Sequence, residues 1–219
     1  MTELTCDELL TTTRSVRRRL DLTRPVARET VEECLRLAFQ APNGSNLQRW
    51  RWIVVDDPDV RAAMAEINRG ALADQIAESA SVGRPRLADR PADQGRSDAY
   101  VRMSASVLHL IEHLQEVPVL VVPCTFGRLD GRTIFQQASV WGSILPAAWS
   151  LMLALRTRGL GSAWTTLHLW REREMAELLG IPYEKVTQAG LFPVAYTTGD
   201  GFRPADRAGS ADAIRWNHW

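Results

Sequence analysis

The sequence predicts an α+β fold in which a central sheet lies among helices, and three observations carry that expectation. Helical periodicity and short apolar runs alternate along the chain, no segment repeats another, and no linker interrupts the 219 residues. One domain, residues 1–219, accounts for such a chain, which on folding buries roughly 70% of the surface it exposes when unfolded.

Thr5 and Glu8 have capping-box spacing, so a helix opens there with Leu9 and Leu10 on its inner face. Arg28 to Gln40 reads as a second helix, with Val31, Cys34, Leu35 and Ala38 on one stripe. Ala41-Pro42-Asn43-Gly44-Ser45-Asn46 is a turn signal, because proline stops a helix and Asn-Gly tolerates positive φ. Trp52 to Val55 is a short strand, and Val60 to Ala80 a helix with a candidate break at Gly70. Residues 82–97 are rich in Pro, Gly, Asp and Arg and read as a mobile stretch. A helix from Asp98 to Gln115, a strand Val119 to Val122, and a long helix ending at Gly159-Leu160-Gly161 follow. Ser162 to Leu167 is expected as a strand and Glu172 to Leu179 as a helix closed by Gly180. Ala189 to Thr197 is the last expected strand, before an irregular tail that ends Trp216-Asn217-His218-Trp219.

Composition narrows the function classes. Lysine plus arginine number 26, as do aspartate plus glutamate, so no global field favours nucleic acid or anionic lipid. Three cysteines without CxxC spacing fit reduced thiols and a cytoplasmic protein better than a disulfide framework. Met1 to Leu10 lacks a basic start and an apolar core, so a signal peptide is not expected. Thr133 to Leu155 carries no charge and is long enough to cross a bilayer. Its Gln136, Gln137, three serines and Pro146 favour a buried core or interface helix instead, with no membrane partner.

Two polar clusters carry chemistry. Arg14, Ser15, Arg17 and Arg18 put guanidinium forks and a hydroxyl in one short stretch, a pattern that matches phosphate oxygens as well as a solvated helix face. Asn43, Ser45, Asn46 and Gln48 place amides and a hydroxyl between apolar elements, suited to a heteroaromatic edge or to a self-capped turn. Two decoys are weaker. His109-Leu110-Ile111-Glu112-His113 has zinc-peptidase spacing, but a strand entry follows where a third ligand is needed, so no metal is expected. Gly159-Leu160-Gly161 follows a helix rather than a strand, which fails the dinucleotide fingerprint. Of the eight tryptophans, Trp141 and Trp149 read as core or interface, and Trp164 and Trp170 as pocket walls.

Taken in order, these pieces resemble the FMN-dependent nitroreductase family. Arg14-Ser15-Val16-Arg17 is similar to its opening signature, and Ala41-Pro42-Asn43-Gly44-Ser45-Asn46-Leu47-Gln48-Arg49-Trp50 to its Ala-Pro-Ser-x-x-Asn-x-Gln-Pro-Trp. Gly159-Leu160-Gly161-Ser162 resembles its Gly-Leu-Gly-Ser strand entry, and Leu178-Leu179-Gly180-Ile181-Pro182 follows at the usual place. The resemblance implies a mainly antiparallel sheet sandwiched by helices, in an intertwined homodimer. It also implies NADPH or NADH as reductant, and ping-pong reduction of small electron-poor acceptors such as nitroaromatics and quinones. Arg14, Ser15 and Arg207 would then hold the FMN phosphate, and Arg17 would face the pyrimidine side of the ring. Asn46 and Gln48 would bond the polar edge, and Pro42, Asn43 and Gly44 would reach the flavin from the partner. Thr165 and Thr166 would offer N–H groups beside the flavin N5, where the hydride chemistry resides, so no side chain is expected to be catalytic. Thr13 and Arg49 depart from the pattern, replacing an arginine and a proline. Other branches remain open: a reductive dehalogenase, an enone reductase, a flavin-processing oxidase, or a flavin or deazaflavin carrier without catalysis.

Overall fold

A central strand that is buried along almost its whole length organises the molecule. In the computed structural model, which describes residues 4–81, 94–199, 201–205 and 213–219, β2 (Val119–Phe126) pairs antiparallel with β1 (Trp50–Val55) on one edge. Its other edge is shared by β5 (Phe192–Tyr196) and β4 (Val186–Gln188), both antiparallel, and β3 (Leu160–Ser162) extends the sheet beyond β5. Pro123 has no N–H for a ladder, and it sits where β4 gives way to β5. There its carbonyl accepts the Ala189 N–H at 2.8 Å.

Side chains alternate across β2. Leu120, Val122 and Cys124 join one buried cluster with Met64 and Ala65 of α3 (Pro58–Ser81), Leu110 of α4 (Gln94–Glu112) and Met175 of α6 (Glu172–Leu179). Val119 and Val121 join a second cluster with Val31, Cys34, Leu35 and Ala38 of α2 (Arg28–Ala38) and Leu151 and Leu155 of α5 (Ile134–Thr157). The result is the expected sandwich, with helices on both faces of a mainly antiparallel sheet.

Several local expectations hold for the reasons given. Thr5 and Glu8 form a reciprocal capping box at the start of α1 (Cys6–Thr12). The predicted stripe of α2 is buried at all four positions. Gly180 closes α6 with φ of 65°. Thr133 caps α5, and Pro146 lies inside that helix without ending it. By length and composition α5 could cross a membrane, but Ala148, Leu151, Met152 and Leu155 are core, while Ile134, Phe135 and Trp149 are exposed.

Other expectations need correction. Leu10 is exposed and Leu9 only half-buried, because α1 turns Thr12 to the core instead. Gly70 does not break α3, whose helix is continuous. The expected strand from Ser162 to Leu167 stops at Ser162. Beyond Ala163, only Thr165 reaches a strand partner, bonding Leu191 in both directions at 3.0 and 2.9 Å, and a 3-10 turn covers Leu167–Arg171. The last strand starts at Phe192 rather than Ala189 because Gly190, with φ of 155°, makes way for the Trp164 ring. A Cβ on Gly190 would lie 2.3 Å from the indole nitrogen. The stretch expected to be mobile falls, for residues 82–93, outside the described residues; 94–97 open α4.

Candidate functional site

Two signatures far apart in sequence meet at the edge strand β3. Ser15 bridges Ser162 in parallel, and the Val16 N–H donates to the Ser162 carbonyl at 2.8 Å. Gly161 permits this approach: a Cβ there would stand 2.9 Å from Val16 Cβ and 2.6 Å from Thr197 Cγ2. The arginine cluster is thereby fixed beside the turn Ala163 to Thr166.

A cavity of about 250 Å³ opens at that junction. One wall is Trp164 to Leu167 with Trp170, a second is Asn68, Leu72 and Gln75 of α3, and a third comes from α4. Arg17 is the one charged side chain lining it among the described residues. Burial lowers the Arg17 pKa, its Nε has no hydrogen-bond partner, and Nη1 reaches only the Ser106 hydroxyl at 3.5 Å. Asn68 is 4% exposed, and its Oδ1 is likewise unpartnered. Two residues that each carry a buried polar atom without a partner thus line one cavity, which marks a place for a polar ligand, because each such atom is costly when unpartnered. Trp164 is a rigid wall. Its ring stacks on Phe192 with centroids 6.2 Å apart, and its indole N–H donates to the Ala189 carbonyl at 3.0 Å.

The expected residues divide into separate groups. Arg17, Thr165 and Thr166 line this cavity. Arg14 lies one step before the Ser15–Ser162 bridge, its Nη1 held by the Arg203 carbonyl, and the Ser15 side chain is exposed. Thr165 spends its N–H on Leu191, so of the two expected donors only Thr166 keeps an N–H without a bond among the described residues. Arg207 lies outside the described residues. Asn68, Leu72 and Gln75 were not legible as site residues. The one sequence signal for Asn68 is an asparagine mid-helix, where its side chain competes with the backbone.

Asn43, Gly44 and Gln48 line a second cavity of about 120 Å³ against α5, which shares no residue with the first. The Gly44 N–H donates to Ser143 Oγ at 2.8 Å, the Gln48 N–H to Asn43 Oδ1 at 2.9 Å, and Gln48 Nε2 to Asn46 Oδ1 at 3.3 Å. The loop therefore acts as one unit carrying Pro42, Asn43, Gly44, Asn46 and Gln48. Positive φ falls not on Asn43-Gly44 but on Ser45, Asn46 and Gln48, at 53°, 53° and 47°. Left-handed backbone at side-chain-bearing residues costs on the order of 1 kcal/mol each and clusters at ligand clamps. Gln48→Gly should therefore raise stability by about 1 kcal/mol, or about 2–4 °C in Tm for a chain of this size. Thermal unfolding checks it, and a lower Tm would show that the loop holds no such strain.

Outside these cavities the reactive candidates are quiet. Burial raises the Cys34 thiol to about 11 and the Cys124 thiol to about 12, so both stay protonated at neutral pH. His109 and His113 meet as tilted rings with centroids 4.5 Å apart, and His113 Nδ1 meets Glu116 at 2.8 Å. No cluster of three or more metal-binding side chains occurs among the described residues.

Known proteins share parts of this chain's sequence and its fold. A 5,6-dimethylbenzimidazole synthase of Rhodospirillum rubrum is 32% identical over 147 residues, which are 65% of this chain and 61% of that protein. The chain thus spans about three-fifths of that relative's length. A protein of Archaeoglobus fulgidus, named for NADH dehydrogenase or NAD(P)H nitroreductase activity, is 25% identical over 217 residues, 98% of each chain. An FMN-dependent nitroreductase of Mycobacterium smegmatis, solved in complex with NADPH, shares the fold with a TM-score of 0.67, at 20% identity over 97% of both chains. The family model described as the nitroreductase family matches residues 10–196, from the end of α1 to the end of β5. With both signatures joined at β3 and the match covering most of its length, the chain belongs to the nitroreductase family.

Proposed function

We propose that this protein is an FMN-dependent oxidoreductase that takes hydride from NADPH or NADH and passes it, ping-pong, to a small electron-poor acceptor such as a quinone or nitroaromatic. The observation that carries this reading is that Arg17 and Asn68, each with a buried, unpartnered polar atom, line one cavity. Bound flavin supplies the hydride chemistry. The chain's own residues bind and orient it. Asn68, donor and acceptor in one side chain, suits a heteroaromatic edge, and Arg17 supplies a cation where negative charge develops on reduction. Arg14, Ser15 and Arg207 are assigned to the phosphate, and the Thr166 N–H to the neighbourhood of N5. Because the loop from Pro42 to Gln48 faces a separate cavity in its own chain, all five of its site residues, Asn46 and Gln48 included, are assigned to the partner's flavin. That assignment needs a homodimer, and the exposed Ile134, Phe135 and Trp149 of α5 are apolar surface for a second copy to cover.

Purified protein should be yellow, release FMN rather than FAD on denaturation, and oxidise NADPH or NADH with a quinone. Sedimentation of the active form should give a dimer. Colourless protein that takes up no added FMN would sink this reading.

The identity with a 5,6-dimethylbenzimidazole synthase favours a second reading. Its product contains a dimethylated benzene ring, which FMN also carries, so a bound flavin could itself be substrate. Reduced, FMN-loaded protein exposed to oxygen distinguishes the two: intact FMN after many cycles supports the first reading, and a benzimidazole product supports the second.

A further inference from the structure

We propose that Arg171 and Asp74, meeting across Gly70, form a positioning pair that sets the mouth of the main cavity and so the size of acceptor it admits; this rests on the oxidoreductase reading above.

Arg171 Nε lies 2.6 Å from Asp74 Oδ2 and Nη2 lies 3.1 Å from Oδ1, a two-bonded fork between the 3-10 turn and α3. Neither residue lines the cavity, but each is the immediate neighbour of one that does: Gln75 follows Asp74, and Trp170 precedes Arg171. Gln75 and Trp170 are exposed, whereas Asn68, Leu110, Ile111 and Leu114 are buried, so the first two stand at the mouth and the others at the floor. The turn is anchored at its start by the Thr165–Leu191 bonds and at its middle by the buried His168, while its outer end, Trp170-Arg171, is tied to α3 by the fork.

Gly70 makes the fork possible. It lies one helical turn before Asp74, and a Cβ there would stand 2.4 Å from Arg171 Nη1 and 2.5 Å from Cζ. Glycine inside a helix costs about 1 kcal/mol relative to alanine, so helix propensity does not explain it. The guanidinium lying across its Cα does. The same geometry supplies an unusual variant. Gly70→Ala improves the helix yet displaces the end of a flexible side chain, so it should open the fork without unfolding the protein.

The test uses oxidised, FMN-loaded dimer without nicotinamide, and measures Kd for nitrobenzene and 9-nitroanthracene by tryptophan quenching. Asp74→Asn and Gly70→Ala should each shift the Kd ratio toward the larger ligand by about threefold to fivefold, the scale set by a partly exposed ion pair. Arg171→Lys, which keeps the charge but loses the fork, should fall between them and wild type. Amides of residues 167–171 should exchange faster in both variants, while the flavin midpoint potential stays at the wild-type value. An unchanged Kd ratio, unchanged exchange, or a shifted potential overturns the proposal. Because binding needs no turnover, a wild-type protein that reduces no acceptor sinks the oxidoreductase reading while the Kd ratio still decides this one.

Discussion

Acidification should weaken this fold through one pH window, and His168→Leu should abolish that loss. His168 is 0% exposed, and neither ring nitrogen meets hydrogen-bond geometry with a partner. Burial lowers its pKa from 6.5 to about 4, an effect the Gln188 side chain partly offsets. The sign follows directly. Below 6.5 the unfolded chain binds a proton that the folded chain refuses until about 4, so acid favours the unfolded state across that interval. Above the window both states are neutral and nothing is lost; below it both are protonated and the slope vanishes. The full interval amounts to about 3 kcal/mol, of which about 2 kcal/mol falls between pH 7 and pH 5. Leucine has similar bulk and brings no polar atoms, so His168→Leu should cost little at neutral pH. Urea midpoints at both pH values, with the m-value held constant, measure it. A wild-type loss below about 0.5 kcal/mol, or an equal loss in His168→Leu, would place the acid sensitivity elsewhere.

How far this molecule could be read from its sequence depends on the range of each signal. The capping box at Thr5, the stripe of α2 and the glycine closing α6 are local patterns, and each appears where it was expected. Elements governed by distant packing carry no such local signal. The strand expected after Ser162 is apolar and β-branched enough to pair, but Trp164 inserts over Gly190 and breaks the ladder on both sides. β4 was missed because Val186–Gln188 is too short for a pattern and is held by β2 and by Gln188 amide bonds to Glu172 at 2.9 and 3.0 Å. Site residues behaved the same way. Arg17 stood out within a charged run, while Asn68 becomes a candidate only once its burial and its open Oδ1 are known. Gly70 looked like a helix break and proved to be a seat for a side chain from another element.

The same contrast, between charges that look alike in sequence and differ in place, yields the prediction with the most direct bearing on function. Arg17→Ala should lower the midpoint potential of bound flavin, and Arg14→Ala should leave it nearly unchanged. Arg14 is assigned to the phosphate, whose charge is the same in both redox states, so its loss weakens oxidised and reduced flavin alike. One charge-assisted hydrogen bond is worth roughly 1.5–3 kcal/mol, which corresponds to about ten- to a hundredfold in FMN affinity. Arg17 faces the cavity with a half-buried guanidinium and no carboxylate partner among the described residues, so its field there is poorly screened. Assigned to the pyrimidine side, it favours the reduced, anionic flavin over the neutral oxidised form. For a two-electron couple about 1.4 kcal/mol of differential loss is about 30 mV, so a fall of about 30–60 mV is expected for Arg17→Ala. Redox titration of both variants, reconstituted with excess FMN, provides the measurement. Arg17→Lys keeps the charge without the fork and should recover most of the potential. Equal shifts in the two alanine variants, or a larger one for Arg14→Ala, would mean that these arginines have been assigned to the wrong ends of the flavin.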